Sequence, residues 1–238
     1  MISSSPDQKD FSAEKHIAEV QLLDLGTQDY QETWQSMVNF TENRNADTQD
    51  QIWLVEHPPV YTMGLAAKTE HVLDTRSIPI VKTDRGGQVT YHGPGQIVIY
   101  LLLDLKRRKL GIKSLVRVIE ESLIKLLADC AVESHTIENA PGVYVTGKKI
   151  AALGLRVRRN GCYHGLSLNI DMDLEPFTGI NPCGYPGLEV TQLKDLKSEY
   201  SINNIKQIQK DLVKHLLVQL YESSMNSLER TTQSEISL

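Results

Sequence analysis

The sequence has little cysteine and no excess of positive charge, and both shortages narrow what it can be. Its three cysteines, Cys130, Cys162 and Cys183, are an odd number at no metal-ligand spacing. Neither a disulfide framework nor a metal site is expected, and a reducing compartment, the cytoplasm, follows. Lys plus Arg number 25 against 30 Asp plus Glu, a net charge of −5. Phosphate binding rewards a basic surface, so no nucleic acid partner is expected, and an acidic partner would need a local basic patch. No apolar run approaches the roughly 18 residues that span a bilayer; the longest, Ile97 to Leu103, has seven. Membrane association is therefore not expected. The leader mixes Asp7, Asp10 and Glu14 with Ser and Lys, which fits neither a secretory signal nor an organelle transit peptide. Internal repeats and low-complexity blocks are also missing.

What is present suffices for a core: 40% of the residues are apolar and 15 are glycine. Val20 to Leu25 reads as a first strand closed by Gly26, and Thr27 as the cap of a helix whose Tyr30, Trp34, Met37 and Val38 form one stripe. Ile52 to Val55 is a short strand, and a loop is expected from His57-Pro58-Pro59 because proline cannot donate to a ladder. Pro79 to Lys82, Val89 to Tyr91 and Gln96 to Leu103 read as strands, and Ser114 opens a helix with Leu115, Ile119, Leu123, Ile124 and Leu127 on one face. Val143 to Val145, Lys149 to Val157 and Cys162 to Ile170, separated by Gly147-Lys148 and Asn160-Gly161, predict an antiparallel meander. A Gly/Pro loop spans Gly179 to Gly187, a short helical pattern follows near Val190 to Leu196, and a last helix starts near Asn203. No linker divides the chain. The reading is a polar leader over 1–17, one α+β domain over 18–222 with mixed and antiparallel strands packed with helices, and a polar tail over 223–238.

Three segments carry chemistry-bearing residues. Arg85 to Gln96 packs five Gly or Pro residues among hydrogen-bonding side chains; glycine lets backbone approach a ligand, although tight turns need the same residues. It contains no Gly-Lys-Ser/Thr and no glycine turn entering a helix, so a nucleotide is not supported. Lys149 starts a strand after a tight turn, with Ala151, Ala152 and Gly154 leaving space beside it. A lysine there is commonly a solvated edge residue. Cys183 sits in a loop stiffened by Pro182 and Pro186, whereas Cys130 and Cys162 fit buried hydrophobes. A thiol needs an activator at neutral pH. His92 and His164 show no evident orienting Asp or Asn, while a desolvated lysine can act as charge partner or base.

RGGQVTYHGPGQ (Arg85 to Gln96), APGVY (Ala140 to Tyr144), KIAALG (Lys149 to Gly154), HGLSLN (His164 to Asn169) and NPCGY (Asn181 to Tyr185) together resemble the lipoyl/octanoyl transferases, over about Leu22 to Leu220. The resemblance implies the fold of the biotin and lipoate protein ligases. It places the family's nucleophile on Cys183 and its activating lysine on Lys149, not on Lys148. Acyl binding falls on Arg85, Gly86, Gly87, Gln88, Val89, Thr90, Tyr91 and His92, on Ala152, Leu153 and Gly154, and on Gly165, Leu166 and Ser167. The implied reaction moves octanoyl from the phosphopantetheine of acyl carrier protein to a lysine of a lipoyl domain through a cysteine thioester, without a cofactor. The implied acceptors are the lipoyl domains of 2-oxoacid dehydrogenase complexes and the glycine cleavage H protein, and the enzyme is expected to be a monomer. Lys106 to Lys109 with Arg156, Arg158 and Arg159 offer a basic surface for an acidic carrier. The turn Arg158-Arg159-Asn160-Gly161 departs from the family, which more often has a shorter connection. The alternatives are an ATP-dependent lipoate-protein ligase and a non-catalytic acyl- or lipoyl-domain-binding module.

Overall fold

The computed structural model describes residues 20–159 and 161–236, with side chains as far as residue 226; the expected leader over 1–17 lies outside the described residues. In chain order the elements are β1 (Val20–Thr27), α1 (Tyr30–Glu42), β2 (Asp50–Glu56), β3 (Val60–Met63), β4 (Ile80–Lys82), β5 (Val89–His92), β6 (Gln96–Asp104) and α2 (Ile112–Asp129). After these come β7 (His135–Ile137), β8 (Ala140–Val145), β9 (Lys148–Arg158), β10 (Gly161–Asn169), α3 (Leu193–Leu196) and α4 (Ile205–Ile236). A seven-stranded sheet runs β1-β2-β6-β10-β9-β8-β7, and a three-stranded sheet runs β4-β3-β5. The β1–β2 and β3–β4 pairs are parallel and the others antiparallel, which makes both sheets mixed.

The apolar run of β6 is central because it is covered on both faces, so it needs no polar alternation. Ile97, Ile99, Leu101 and Leu103 pack with Leu115, Ile119 and Leu123 of α2 and Leu212 and Leu216 of α4. Val98, Tyr100 and Leu102 pack on the other face with Met37 of α1, Trp53 and Tyr163. A third cluster, Tyr61, Met63, Val89, Tyr91, Phe177 and Ile180, joins the small sheet to the segment after β10. Among the described residues no helix is long and apolar enough to cross a membrane.

Several boundaries differ from the sequence expectations for local reasons. The cap of α1 is Asp29, whose carboxylate accepts from the Glu32 amide at 3.0 Å, while Thr27 belongs to β1. Gly111 rather than Ser114 precedes α2. Where a loop is expected after Pro58-Pro59, β3 begins at Val60; its partners β4 and β5 come from distant sequence, and all four of its residues are buried, so it shows no alternation. The exposed edge strand β7 has no sequence expectation. The last helix continues past Glu222 to Ile236. Arg159 has a φ of 49°, and Asn160 of the expected Asn-Gly turn lies outside the described residues.

Arg44, Arg107 and Arg108 converge on the buried Asp50 carboxylate at 2.8, 2.6 and 2.5 Å, joined by the Asp104 amide at 2.8 Å. Burial opposes this charge, but Arg108, the Asp104 amide, Arg107 and Arg44 outweigh it and hold Asp50 below the usual carboxylate value. Of the expected basic surface, Arg108 therefore turns inward, while Arg107 pairs with Asp50 but stays exposed. Asp50→Asn is expected to cost about 3 kcal/mol or more at pH 7, because three guanidinium groups lose their counter-charge; that is roughly 6–12 °C in Tm. The depressed folded pKa contributes stability above the unfolded value near 3.9, and that contribution fades as pH falls through the lower folded value. Melting curves should show the gap between variant and wild type closing below about pH 4.

Candidate active site

Strand alternation separates two neighbouring lysines. Lys148 is exposed and pairs with Glu189 at 2.8 Å, whereas Lys149 is 4% exposed and points inward. The chain leaving β10 returns to the same place. Its residues 189–191 lie beside Lys149: the Lys149 amide donates to Glu189 O at 2.9 Å, and the Thr191 amide donates to Lys149 O at 3.0 Å. Cys183 lies on this returning segment, with a φ of 56° in the left-handed region that a side chain rarely adopts. Asn181 anchors the approach through its amide to His71 O at 2.9 Å. Two stretches distant in sequence thereby meet, and Lys149 Nζ stands 2.9 Å from Cys183 Sγ.

The ammonium has further support. Lys149 Nζ donates to Pro141 O at 3.0 Å and lies 5.0 Å from the centre of the Tyr144 ring. Tyr144 Oη donates to Ala140 O at 2.9 Å, and Glu120 accepts the Gly142 amide at 3.0 Å, so the Ala140–Gly142 segment is tied down on both sides. Glycine is required at 142: a Cβ there would stand 2.7 Å from Ala151 O and 3.2 Å from Lys149 Nζ. Burial works against the charged amine, but the Cys183 charge and hydrogen bond, with Tyr144, outweigh it and hold Lys149 above its ordinary value. Lys149 thus remains an ammonium.

A pocket of about 420 Å³ extends from this pair between the two sheets. Small residues on neighbouring strands make the room: Ala152 and Gly154 of β9 face Ser167 and Gly165 of β10. The Gly86 amide hooks the glycine-rich loop onto Leu155 O at 2.9 Å. A Cβ at Gly154 would press on Arg85 Cδ and Gly86 O, both at 3.1 Å. Arg85 is buried and spends its donors inside the fold: Nε donates to Thr62 Oγ1 at 3.0 Å, Nη2 to Thr62 O at 2.6 Å, and Nη1 to Gly86 O at 2.9 Å. Its guanidinium therefore scaffolds the loop, while the residue lines the pocket.

The chain matches the family Lipoyl protein ligase A/B catalytic domain over residues 29–216. The octanoyltransferase of Alkalilimnicola ehrlichii is 59% identical over 180 residues, covering 76% of this chain and 84% of that protein. This chain belongs to the octanoyltransferase family. It is an acyltransferase. The octanoyltransferase of Laribacter hongkongensis is 56% identical over 196 residues, 82% of this chain and 93% of the relative. Among solved structures, lipoate-protein ligase A bound with ATP superposes with a TM-score of 0.70 at 15% identity, covering 89% of this chain and 93% of that one. The biotin protein ligase from Aquifex aeolicus gives 0.53 at 11% identity, covering 89% and 73%. At those identities the likeness concerns the fold, which is the α+β fold of the lipoate and biotin ligases.

Within this octanoyltransferase-family fold, the expected residues mostly gather around one space. Arg85, Gly86, Gly87, Gln88, Val89, Thr90 and His92 line the pocket, as do Ala152, Leu153, Gly154, Gly165, Leu166, Ser167, Lys149 and Cys183. Tyr91 does not. Alternation along β5 turns its ring away, against Tyr61 and Phe177, with centroids at 5.5 and 5.4 Å. His92 is no partner for the thiol: its Nδ1 lies 2.7 Å from Gln96 Oε1, and burial, reinforced by His57, pushes it down to about 3. The sequence reading finds no orienter for His164, yet Asp84 accepts from its Nε2 at 3.1 Å. Asp84 also accepts from Trp34 Nε1 at 2.8 Å and from Tyr163 Oη. Burial would raise the Asp84 carboxyl, but these donors hold it at about 2. Tyr30, Tyr100 and Pro141 also line the pocket and were missed. The APGVY and HGLSLN motifs contained Pro141 and His164; Tyr30 and Tyr100 had only an apolar-pattern signal. In the expected basic surface, Arg158 pairs with Glu42 at 2.6 Å and Arg156 approaches Asp84 at 3.8 Å.

Proposed function

We propose that the enzyme transfers an octanoyl group from the phosphopantetheine thioester of acyl carrier protein to the ε-amino group of a lipoyl-domain lysine, with Cys183 as nucleophile and Lys149 as its charge partner. The observation that carries this reading is the 2.9 Å separation of Lys149 Nζ and Cys183 Sγ at the pocket. An ammonium there favours the thiolate, and the raised Lys149 supports charge pairing over proton abstraction in the resting enzyme. Sγ attacks the thioester carbonyl, a C–S bond to the enzyme forms, and the pantetheine sulfur leaves and takes a proton. The neutral amine of the acceptor lysine then attacks the enzyme thioester. A C–N bond forms, the bond to Sγ breaks, and the amine proton departs to water or to the site. The first exchange is nearly isoenergetic and amide formation from a thioester is downhill, so no nucleotide is needed.

Binding comes from burying the chain, at about 0.8 kcal/mol per methylene. The lysine of a lipoyl domain has to reach the same carbonyl, which suits a site with Cys183 half-buried rather than sealed. In this reading the acceptors are the lipoyl domains of 2-oxoacid dehydrogenase complexes and the glycine cleavage H protein.

Incubation with octanoyl carrier protein, followed by intact-mass measurement, is expected to show one octanoyl adduct on Cys183. Initial rates with donor and acceptor varied should give parallel double-reciprocal lines, the signature of ping-pong order. Turnover that consumes ATP and leaves no adduct would instead establish a ligase, and stoichiometric binding without turnover a binding module.

A further inference from the structure

An oxidised cysteine is resolved by whichever nucleophile lies against it, another thiol or a nitrogen. Around Cys183 the usual candidates are missing. Cys130 and Cys162 are packed in the apolar cluster with the α2 and α4 side chains, and neither lines the pocket. The Gly184 amide, next along the chain from the sulfur, already donates to Asn181 O at 2.9 Å. The nucleophile within reach of this sulfur is an amine, Lys149 Nζ at 2.9 Å.

The same geometry exposes the sulfur to oxidation, since susceptibility follows thiolate character and access. The neighbouring ammonium favours the thiolate, and Cys183 is half-buried on a pocket of about 420 Å³, wide enough for a molecule as small as hydrogen peroxide. Charge then decides what Lys149 does next. Burial is the largest influence on the amine and favours its neutral form, but the Cys183 charge and hydrogen bond, with Tyr144, override it. A sulfenic acid carries no charge, so oxidation removes that attraction and leaves burial dominant. The ammonium thus gives up its proton when the sulfur beside it becomes electrophilic. A neutral amine can keep its donation to Pro141 O at 3.0 Å and still offer a lone pair. Two reactants held in contact combine far faster than the same groups free in solution.

We propose that Lys149 and Cys183 form a redox-modification site, where hydrogen peroxide joins the two side chains through a reversible sulfur–nitrogen bond, a sulfenamide. Sγ attacks one peroxide oxygen: the S–O bond forms, the O–O bond breaks, and the sulfur is oxidised by two electrons as the peroxide is reduced. The departing hydroxide takes a proton from the Lys149 ammonium and becomes water. Nζ then attacks the sulfur. The S–N bond forms, the S–O bond breaks, and the second hydroxide leaves as water with a proton from the amine. One peroxide is consumed and two waters are released. An added thiol reverses the link by attacking Sγ, which returns the amine, and a second thiol then frees Cys183. While the link stands, the sulfur is kept from the sulfinic acid that thiols do not reduce. The inference needs only the pair itself and is independent of the acyl-transfer reading.

The test treats the full-length protein with hydrogen peroxide in the absence of any acyl donor. Denatured intact mass, a non-reducing peptide map and alkylation of Cys183 by iodoacetamide are read before and after dithiothreitol. The wild-type chain is expected to become two hydrogens lighter, with the peptide holding Lys149 joined to the peptide holding Cys183. Alkylation should be lost on oxidation and restored by dithiothreitol. A disulfide would lose the same mass, so the peptide map decides. Lys149→Ala should carry oxygen on Cys183 in place of the link, whereas Lys148→Ala, altered on the exposed face, should keep it. An unchanged mass, oxygen on Cys183 with Lys149 unlinked, or a link from Cys183 to Cys130 or Cys162 would each overturn the proposal and leave the transfer reading untouched. The map of wild-type protein is decisive by itself, so poor folding of a variant does not affect the outcome.

Discussion

Cys183→Ser is expected to abolish the octanoyl adduct and to lower transfer on the order of 1,000-fold or more, as loss of a nucleophile does in enzymes that work through a covalent intermediate. The serine hydroxyl ionises far less readily than a thiol, and one ammonium at 2.9 Å cannot make up that difference. The control is Cys162→Ser. Cys162 is 1% exposed, its thiol donates to Leu101 O at 3.3 Å, and burial pushes its pKa up to about 12. A serine can keep that hydrogen bond, so the adduct should persist in this variant. An adduct that survives Cys183→Ser and disappears in Cys162→Ser would overturn the assignment of the nucleophile.

Lys149→Ala should slow Cys183 acylation at pH 7 by roughly 100-fold to 1,000-fold, the range for removing one preorganised electrostatic donor from an active site. The reason is electrostatic. Cys183 is half-buried, and Lys149 Nζ at 2.9 Å supplies the charge opposite its thiolate. Removing the amine should therefore also slow iodoacetamide alkylation of Cys183 at pH 7. Lys148→Ala should leave both rates in place, since Lys148 is on the exposed face and pairs with Glu189. A Lys149→Ala enzyme alkylated and acylated at the wild-type rate would show that the amine does not hold the thiolate.

The distinction between those two lysines was legible only through the family motif, which falls on Lys149; its physical ground, strand alternation that exposes Lys148 and buries Lys149, comes with the structure. The hairpins around β9 and β10 were legible because their turns are marked by Gly147 and Gly161. Strand β3 was not, because two prolines precede it and its partners come from β4 and β5. Tyr91 shows the limit of a motif read as a block: residues 89–92 form a strand, and alternation sends Tyr91 into the cluster with Tyr61 and Phe177 instead of the pocket. Asp84 was invisible as the partner of His164 because their contact spans 80 positions. Tyr30 joined the helix stripe as an apolar residue, and only the packed structure puts its hydroxyl among polar groups.

The backbone of Lys149 is stitched to residues 189 and 191, a few positions beyond Cys183. The amine and the sulfur are therefore carried by segments laced into one ladder, so sheet breathing displaces them together and their spacing survives motions that widen the pocket. Unzipping of that short parallel seam lets the two segments part. The Lys149 amide proton is accordingly a local gauge of whether the reacting pair is assembled.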